Sequence, residues 1–283
     1  MSQDIRDKLI NHLVGNELIK VLELSLINNN IATRKGKGTH YGIRLLKKYL
    51  NKLKKENIYA LKFDISKYFY NINYNVLKDL YYSKIKDKDF LLLLDKIIGS
   101  TNRGYINEKI SILIKNEINK INSSNLNIRE KKKNVNELKH IPLYQKGKGL
   151  PIGNLTSQIL DIYYLNELDY FILEKLKVKY IRYMDDGILI CNSKEYLKYC
   201  LDEIKCIIDR YKLKFNNKTC IVNVSKNGVD FLGFRFYIFG NKAIMKDRNN
   251  VKRRFKSKII LIKKEVCDEK TLQIINSYKS HFK

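Results

Sequence analysis

The stretch of sequence that decides the fold is Lys179-Tyr-Ile-Arg-Tyr-Met-Asp-Asp-Gly-Ile-Leu-Ile-Cys191. Residues 179–184 and 187–191 are two β-prone runs, and Asp185 and Asp186 stand between them, which predicts a hairpin with two carboxylates at its turn. Aspartate favours turns for its own sake, so the pair can be read as turn chemistry alone. Adjacent negative charges in an apolar context repel, however, and are tolerated when a cation neutralises them.

The flanking sequence extends the hairpin into a sheet. Tyr59-Ala-Leu-Lys-Phe-Asp64 is another β-prone run and also ends in a carboxylate. Residues 155–175 and 197–211 carry apolar side chains at helical spacing, and residues 229–237 return to strand. This β-α-β-β-α-β order predicts an α+β fold built on a split βαβ, ferredoxin-like antiparallel sheet with helices on one face.

The predicted sheet places the strand that ends at Asp64 beside the 179–191 hairpin, so that Asp64, Asp185 and Asp186 converge at one edge. Oxygen-only ligands of this kind suit Mg²⁺, which commonly takes one or two carboxylates together with substrate phosphates. Two such ions about 3.5–4 Å apart would hold the attacking and leaving oxygens of a phosphoryl transfer. The sequence therefore predicts two Mg²⁺ ions, for which Mn²⁺ could substitute.

Composition indicates the class of partner. The chain has 283 residues and a formal net charge of +27, which favours a polyanion, nucleic acid before membrane. A bias towards AT-rich codons is an alternative source of the lysine excess, although it does not explain the few carboxylates. No apolar run approaches the roughly 20 residues of a membrane span, and the N-terminus lacks a signal-peptide pattern. The five cysteines have no zinc-site spacing, and we expect a reducing, cytoplasmic location.

Several motifs, in a fixed order, resemble those of reverse transcriptases. In the palm they are the YxDD signature at Tyr183-Met-Asp-Asp186, the first palm motif at Phe63-Asp-Ile-Ser-Lys-Tyr-Phe-Tyr70, the second at Gly149-Leu-Pro-Ile-Gly-Asn-Leu-Thr-Ser-Gln158, the lysine-bearing motif at Asn217-Lys-Thr219 and the primer-grip turn at Phe231-Leu-Gly233. Arg34-Lys-Gly-Lys-Gly-Thr39 resembles a fingers motif of bacterial, non-retroviral members. Among these, the second palm motif is most similar to that of diversity-generating retroelements and of related unassigned enzymes.

The resemblance implies a right-hand polymerase with fingers, a palm and a short or truncated thumb. The boundaries it implies are N-terminal helices and fingers at 1–58, palm at 59–75, a fingers insertion at 76–148, palm with primer grip at 149–240, and a basic start of the thumb at 241–283. The implied partners are an RNA template, a DNA or RNA primer, deoxynucleotides, the RNA–DNA hybrid, and an accessory protein or cognate non-coding RNA.

The resemblance also implies roles for individual residues. The backbone carbonyl of Ile65 would be a further metal ligand, and Lys218 would be the general acid for the pyrophosphate leaving group. Phe69 would block a ribose 2′-hydroxyl and so favour DNA as the product, unless it is only a core aromatic. Ile152 stands where many members carry glutamine, which puts high copying fidelity in doubt unless the change is a neutral difference between lineages.

The remaining site predictions concern the substrates. The residues expected near the nucleotide are Arg34, Lys35, Lys37, Phe69, Ile152, Gly153 and Gln158. Those expected along primer and template are Tyr183, Met184, Phe231, Leu232, Gly233, Lys252, Arg253 and Arg254. The basic loop at 34–37 can alternatively be a solvated loop. Asp161 reads as a solvated helix position and receives no role.

Three other functions stay open at this point. A defence-associated reverse transcriptase acting against phage would share the chemistry. A non-catalytic RNA-binding protein on a palm scaffold would not need three carboxylates. An RNA-dependent RNA polymerase is disfavoured by Phe69, because such an enzyme must accept the 2′-hydroxyl.

Overall fold

The structure is a computed structural model that describes residues 4–53 and 56–248. The helices are α1 Ile5–Leu22, α2 Thr39–Lys52, α3 Tyr68–Asn71, α4 Tyr74–Tyr82, α5 Lys88–Ile98, α6 Gly104–Ser123, α7 Ile128–Lys139, α8 Leu155–Tyr164, α9 Asn166–Tyr170, α10 Lys194–Arg210 and α11 Val224–Asn227. The strands are β1 Tyr59–Phe63, β2 Lys179–Tyr183, β3 Asp186–Cys191, β4 Cys220–Asn223, β5 Val229–Phe231, β6 Phe234–Phe239 and β7 Lys242–Asp247. Short 3₁₀ turns follow α1 and α5, and a π-turn at Phe171–Lys175 extends α9.

The predicted split βαβ sheet is present. Its four strands lie in the order β2-β3-β1-β4 and pair antiparallel throughout. The hairpin of β2 and β3 lies beside β1, with Phe63 opposite Gly187. The α+β fold class is therefore confirmed.

The assignment of residues 229–237 to the fourth strand of this sheet was wrong. That strand is β4, and residues 229–237 belong to a separate antiparallel sheet in the order β5-β6-β7. Leu232 and Gly233, with φ of 50° and 87°, make a tight two-residue turn between β5 and β6. Residues 229–237, the more strongly β-prone run, therefore pair with each other. The fourth strand of the palm sheet is the shorter run β4, which follows the lysine-bearing motif.

Side chains on the two faces of the palm sheet pack against different layers, because successive residues of a strand point to opposite faces. Leu61 and Phe63 belong to a large cluster with residues of α8 and α10. Ala60 belongs to a second cluster with residues of α2 and of the three-stranded sheet. The helices of the split βαβ unit thus share one face, while α2 and the second sheet cover the other.

Gly187 lets the hairpin lie closely against β1. A Cβ atom at this position would lie 2.1 Å from Cζ of Phe63. Any side chain there would push the phenyl ring out of the core, where it contacts Tyr180 and Phe215. The glycine directly after Asp186 therefore helps to fix where the carboxylates stand relative to β1.

The chain between the two palm segments is largely helical. Helices α6 and α7 form a hairpin there, and no residue of either helix is buried. The thumb boundary predicted at residue 241 falls within the second sheet, because β7 pairs along β6. Residues 249–283, which include Lys252, Arg253 and Arg254, lie outside the described residues. No helix in the described part of the chain has the length and apolar character that crossing a membrane requires.

Candidate active site

Three aspartates meet at one edge of the palm sheet. Asp64 follows the last residue of β1, Asp185 lies in the turn between β2 and β3, and Asp186 is the first residue of β3, which pairs with β1. The Asp64 and Asp185 carboxyl groups are close enough to interact electrostatically. The antiparallel pairing thus brings together residues more than a hundred positions apart in the chain.

Burial and mutual repulsion set the charge state of this cluster. Burial, followed by the charges of Asp64 and Asp186, raises the pKa of Asp185 to about 6. Burial also raises the pKa of Asp186, although the positive charges of Lys62 and Arg248 oppose the rise. Nζ of Lys62 lies 3.6 Å from Oδ1 of Asp186. The Lys62 ammonium group therefore offsets part of the negative charge of the cluster.

The donor chemistry fits a hard divalent cation, because the cluster offers only carboxylate oxygens and excess negative charge. The arrangement of the side chains is not that of a finished ligand set. Within residues 4–53 and 56–248, no group of three or more His, Cys, Asp or Glu side chains is placed to hold a metal ion. Because a proton and a divalent ion compete for the same carboxylate oxygens, cation binding would be coupled to loss of the proton from Asp185.

The lysine-bearing motif is tied to the backbone of Asp64. The N–H of Asn216 donates to the Asp64 carbonyl over 2.7 Å, and the Asp64 N–H donates to Oγ1 of Thr219 over 3.3 Å. Ile65 forms an isolated antiparallel bridge with Phe215. These contacts hold the turn that carries the exposed Lys218 at the same sheet edge as the aspartates.

The two palm segments expected near the nucleotide are also joined. The N–H of Leu150 donates to the Phe69 carbonyl over 2.8 Å, and the N–H of Gly149 donates to the Ile72 carbonyl over 2.9 Å. Phe69 is half-buried and meets Tyr68 edge-on. Ile152 and Gly153 are exposed, and Gln158 is half-buried on α8.

The position of Arg34 differs from the expectation that it faces a nucleotide. Its side chain is only 5% exposed and pairs with Glu23. Its Nη1 donates to the carbonyls of Ile27 and Asn30 over 2.6 and 2.9 Å. Lys37 donates to Asn28 and lies over the ring of Tyr41, whereas Lys35 is exposed. Because its guanidinium is hydrogen-bonded to these carbonyls, Arg34 stabilises the loop and does not offer its charge to a bound phosphate.

The predicted primer-side residues fall into two groups. Tyr183 and Met184 are half-buried at the end of β2 and in the turn to β3, next to Asp185. Phe231 is fully buried in the core between α2 and the second sheet, so its side chain does not face a primer. Leu232 packs closely against Gly42 of α2, where an added Cβ atom would lie 2.6 Å from Cδ1 of Leu232. Gly233 is exposed. The alternation along β5 explains this inward position of Phe231.

Sequence reasoning missed a buried polar network beside the catalytic turn. Arg182 and Asp169 are both fully buried and form an ion pair of 2.6 Å. Asp161, expected to be solvated, is also fully buried, and neither of its carboxyl oxygens has a hydrogen-bond partner. Burial, with the nearby Asp185 charge, raises the pKa of Asp161 well above its ordinary range. The sequence signal for the ion pair was that Arg182 interrupts an apolar strand and Asp169 interrupts an apolar helical segment, with opposite charges.

Comparison with known proteins agrees with this geometry. The model of the family "Reverse transcriptase (RNA-dependent DNA polymerase)" matches residues 2–236. No curated protein sequence matches the chain. Apo telomerase from Candida tropicalis, truncated from its C-terminal domain, is similar in structure, with a TM-score of 0.53, 16% identity, and coverage of 84% of this chain and 45% of that chain.

Telomerase from Candida albicans, in complex with a TWJ fragment of telomeric RNA, aligns with a TM-score of 0.48 and 15% identity over 86% of this chain and 37% of that chain. The chain therefore spans less than half the length of these two structures. At this identity, the likeness to the Candida tropicalis structure supports the fold alone.

Proposed function

The chain belongs to the reverse transcriptase (RNA-dependent DNA polymerase) family, and from that premise we propose that it extends a primer 3′-hydroxyl with deoxynucleotides on an RNA template. The observation that carries the proposal is the meeting of Asp64, Asp185 and Asp186 at one edge of the split βαβ sheet. A purely structural sheet edge would not need three clustered carboxylates, and the cluster raises the pKa values of Asp185 and Asp186.

Asp64, Asp185 and Asp186 would hold two Mg²⁺ ions, with the backbone carbonyl of Ile65 as a further ligand. When bound, the ions would supply the positive charge that activates the primer hydroxyl and stabilises the leaving pyrophosphate. The chain's own task is to present ionised carboxylates, so Asp185 must lose its proton before it can act as a ligand. Lys62 and Arg248 favour ionisation of Asp186 by lowering its pKa.

Other residues would position the substrates. Lys218, exposed on the turn tied to Asp64, would donate a proton to the pyrophosphate. Phe69 would exclude a ribose 2′-hydroxyl, and Ile152, Gly153 and Gln158 would lie near the nucleotide and its templating base. Lys35 is the exposed cation of the loop at 34–37 that remains available for phosphates. The net charge of +27 supports an RNA template and an RNA–DNA hybrid as partners.

For the biological setting, we favour a diversity-generating or related bacterial retroelement in the cytoplasm. The support is the sequence Gly153-Asn-Leu-Thr-Ser-Gln158, in which α8 begins. A defence-associated enzyme would have the same active site. Neighbouring genes distinguish the two settings, because a template repeat with a variable target gene accompanies the first and a defence cluster accompanies the second.

Primer extension on an RNA template with Mg²⁺ tests the proposed activity, with deoxynucleotides and ribonucleotides in parallel reactions. Asp185→Asn should abolish extension, while Asp209→Asn, a matched change at an exposed position of α10, should leave it intact. Equal extension by wild type and Asp185→Asn would refute the role of the aspartate. RNA binding that is independent of Mg²⁺, with no incorporation of either nucleotide, would favour a non-catalytic RNA-binding protein.

A further inference from the structure

The buried side chain of Arg182 is held in a single orientation next to the catalytic turn. Its Nε and Nη2 donate to Oδ1 and Oδ2 of Asp169 over 2.7 and 2.6 Å. Nη2 also donates to the Ile162 carbonyl over 2.6 Å. The Tyr180 hydroxyl donates to the same Asp169 carboxylate over 2.9 Å and helps to fix it. Two parallel bonds to a carboxylate leave a planar guanidinium little rotational freedom.

The third nitrogen of the guanidinium reaches the catalytic turn itself. Nη1 donates to the carbonyl oxygen of Met184 over 2.8 Å. Met184 directly precedes Asp185, and its φ of 55° lies in the left-handed region. A non-glycine residue keeps that conformation only where its surroundings impose it. The direction in which the chain enters Asp185 therefore depends on what holds Met184.

We propose that Arg182 is a positioning residue for the cation site: clamped by Asp169, it holds the Met184 carbonyl and thereby fixes the backbone from which Asp185 and Asp186 project. This inference rests on the proposed function, because it assumes that the two aspartates bind cations. It gives the guanidinium a task that apolar packing cannot fulfil.

Stability alone does not account for this ion pair. Removing two charges from water offsets most of their attraction, so a buried pair is often no more stabilising than apolar side chains of the same volume. Arg182 and Asp169 are both fully buried. The hydrogen bonds to Asp169 and to the Ile162 carbonyl orient the guanidinium. The remaining bond goes to the carbonyl of Met184, the residue with positive φ directly before Asp185.

Binding of Mn²⁺ by the full-length protein, followed by electron paramagnetic resonance, tests the inference without relying on catalysis. Arg182→Lys keeps a positive charge for Asp169, but one ammonium group cannot hold Asp169 and the Met184 carbonyl as the fork does. Tyr180→Phe is the matched control, because it removes a hydrogen bond to the same Asp169 and leaves the bond to Met184. We expect Mn²⁺ affinity to fall about tenfold in Arg182→Lys and by less than about twofold in Tyr180→Phe.

Primer extension supplies the second readout. In Arg182→Lys, added Mg²⁺ should restore much of the lost rate, while KM for deoxynucleotides should stay unchanged. A folded Arg182→Lys protein with wild-type Mn²⁺ affinity would overturn the inference. Should this variant fail to fold, Asp169→Asn, which keeps the shape but weakens the clamp, should lower Mn²⁺ affinity by about threefold.

The remaining outcomes are also decisive. Failure of both Arg182→Lys and Asp169→Asn to fold, while Tyr180→Phe folds, would make the pair a determinant of the fold and would overturn the inference. A wild-type protein that binds Mn²⁺ but extends no primer would refute the proposed function and leave the positioning role intact. A wild-type protein that binds no Mn²⁺ would leave no cation site to position and would refute the positioning role.

Discussion

Lys62 lies on β1 with its Nζ 3.6 Å from Oδ1 of Asp186. Lys62 is two residues before Asp64. One short segment of chain therefore carries a candidate metal ligand, Asp64, and a cation that pairs with a second candidate ligand, Asp186. The ammonium group lowers the pKa of Asp186 against the effect of burial. It therefore keeps Asp186 ionised, while its positive charge beside Oδ1 weakens the attraction of this carboxylate for a divalent ion.

Replacing Lys62 should tighten cation binding. In Lys62→Met the carboxylate cluster keeps its negative charge but loses the internal competitor. Because the Lys62–Asp186 pair is partly exposed, its interaction free energy is up to about 1 kcal/mol. Its removal should therefore raise Mn²⁺ affinity up to roughly fivefold at pH 8, where the carboxylates are ionised. Titration by electron paramagnetic resonance measures this, with Lys198→Met on the exposed face of α10 as the charge-matched control. Weaker Mn²⁺ binding in Lys62→Met would show instead that the ammonium group organises the site.

Asp185→Asn should be more stable than wild type when no metal is present. The pKa of Asp185 is raised to about 6, so the folded chain holds this proton more tightly than the unfolded chain. Such a group stabilises the fold at low pH, and that contribution is lost as the pH rises through about 6. At neutral pH the variant should gain about 1–2 kcal/mol after allowance for partial exposure, which is a few degrees in Tm.

Thermal unfolding in EDTA from pH 4 to pH 8 measures this gain. The difference in Tm between Asp185→Asn and wild type should be small at pH 4, grow up to about pH 6–7 and then level off. Asp209→Asn, at an exposed position, should match wild type throughout. A variant that is less stable than wild type at neutral pH would contradict the repulsion described for the three aspartates.

The same proton should control the rate of primer extension. Because protonated Asp185 cannot act as a ligand, extension at limiting Mg²⁺ should fall as the pH drops through about 6. Mg²⁺ and the proton compete for one carboxylate, so a higher Mg²⁺ concentration should move the midpoint to lower pH. Initial rates over a pH series at two Mg²⁺ concentrations check this, with circular dichroism as the control for folding. A midpoint that does not respond to Mg²⁺ would assign the titration to another group.

Local sequence was sufficient to predict the catalytic hairpin and its neighbour β1. Strand propensity, a tight turn and a period of two are all contained in residues 59–64 and 179–191, and the pairing follows from topology. The fourth palm strand was not predictable in the same way. Residues 229–237 have the stronger β pattern, but the turn at Leu232 and Gly233 pairs them with each other.

The burial of Arg34 and Asp161 could not be predicted from local pattern. Arg34 stands in a loop that looks solvated, yet the carbonyls of Ile27 and Asn30 engage its guanidinium. The Asn30 side chain in turn donates to the Ile162 carbonyl, 132 positions away in sequence. Such partners are set by tertiary packing, and propensity carries no information about them. For the same reason Asp161, which was assigned to solvent, lies in the core.

Asp161→Leu should stabilise the protein. The carboxyl oxygens of Asp161 are buried without hydrogen-bond partners, and removing such a group while filling the space is worth about 1–2 kcal/mol. The raised pKa of Asp161 means that wild type loses this group's stabilising contribution as the pH rises, whereas the leucine variant does not. Urea unfolding at pH 6 and pH 8.5 measures both effects, with Asp161→Asn as the variant that keeps a polar group. A loss of more than about 2 kcal/mol in Asp161→Leu would mean that the carboxyl makes an essential contact.

Phe69→Val should relax the discrimination between deoxynucleotides and ribonucleotides. Phe69 is half-buried, and its backbone carbonyl accepts a hydrogen bond from the segment that carries Ile152. The proposed role of its ring is to exclude a ribose 2′-hydroxyl. A steric difference of this size is worth about 1–3 kcal/mol, so kcat/KM for ribonucleotides relative to deoxynucleotides should rise roughly 10- to 100-fold. Steady-state primer extension with each nucleotide measures the ratio, and Tyr70→Phe serves as a neighbouring control that keeps its ring. If kcat/KM for both nucleotides falls by the same factor, Phe69 acts only through its packing against Tyr68.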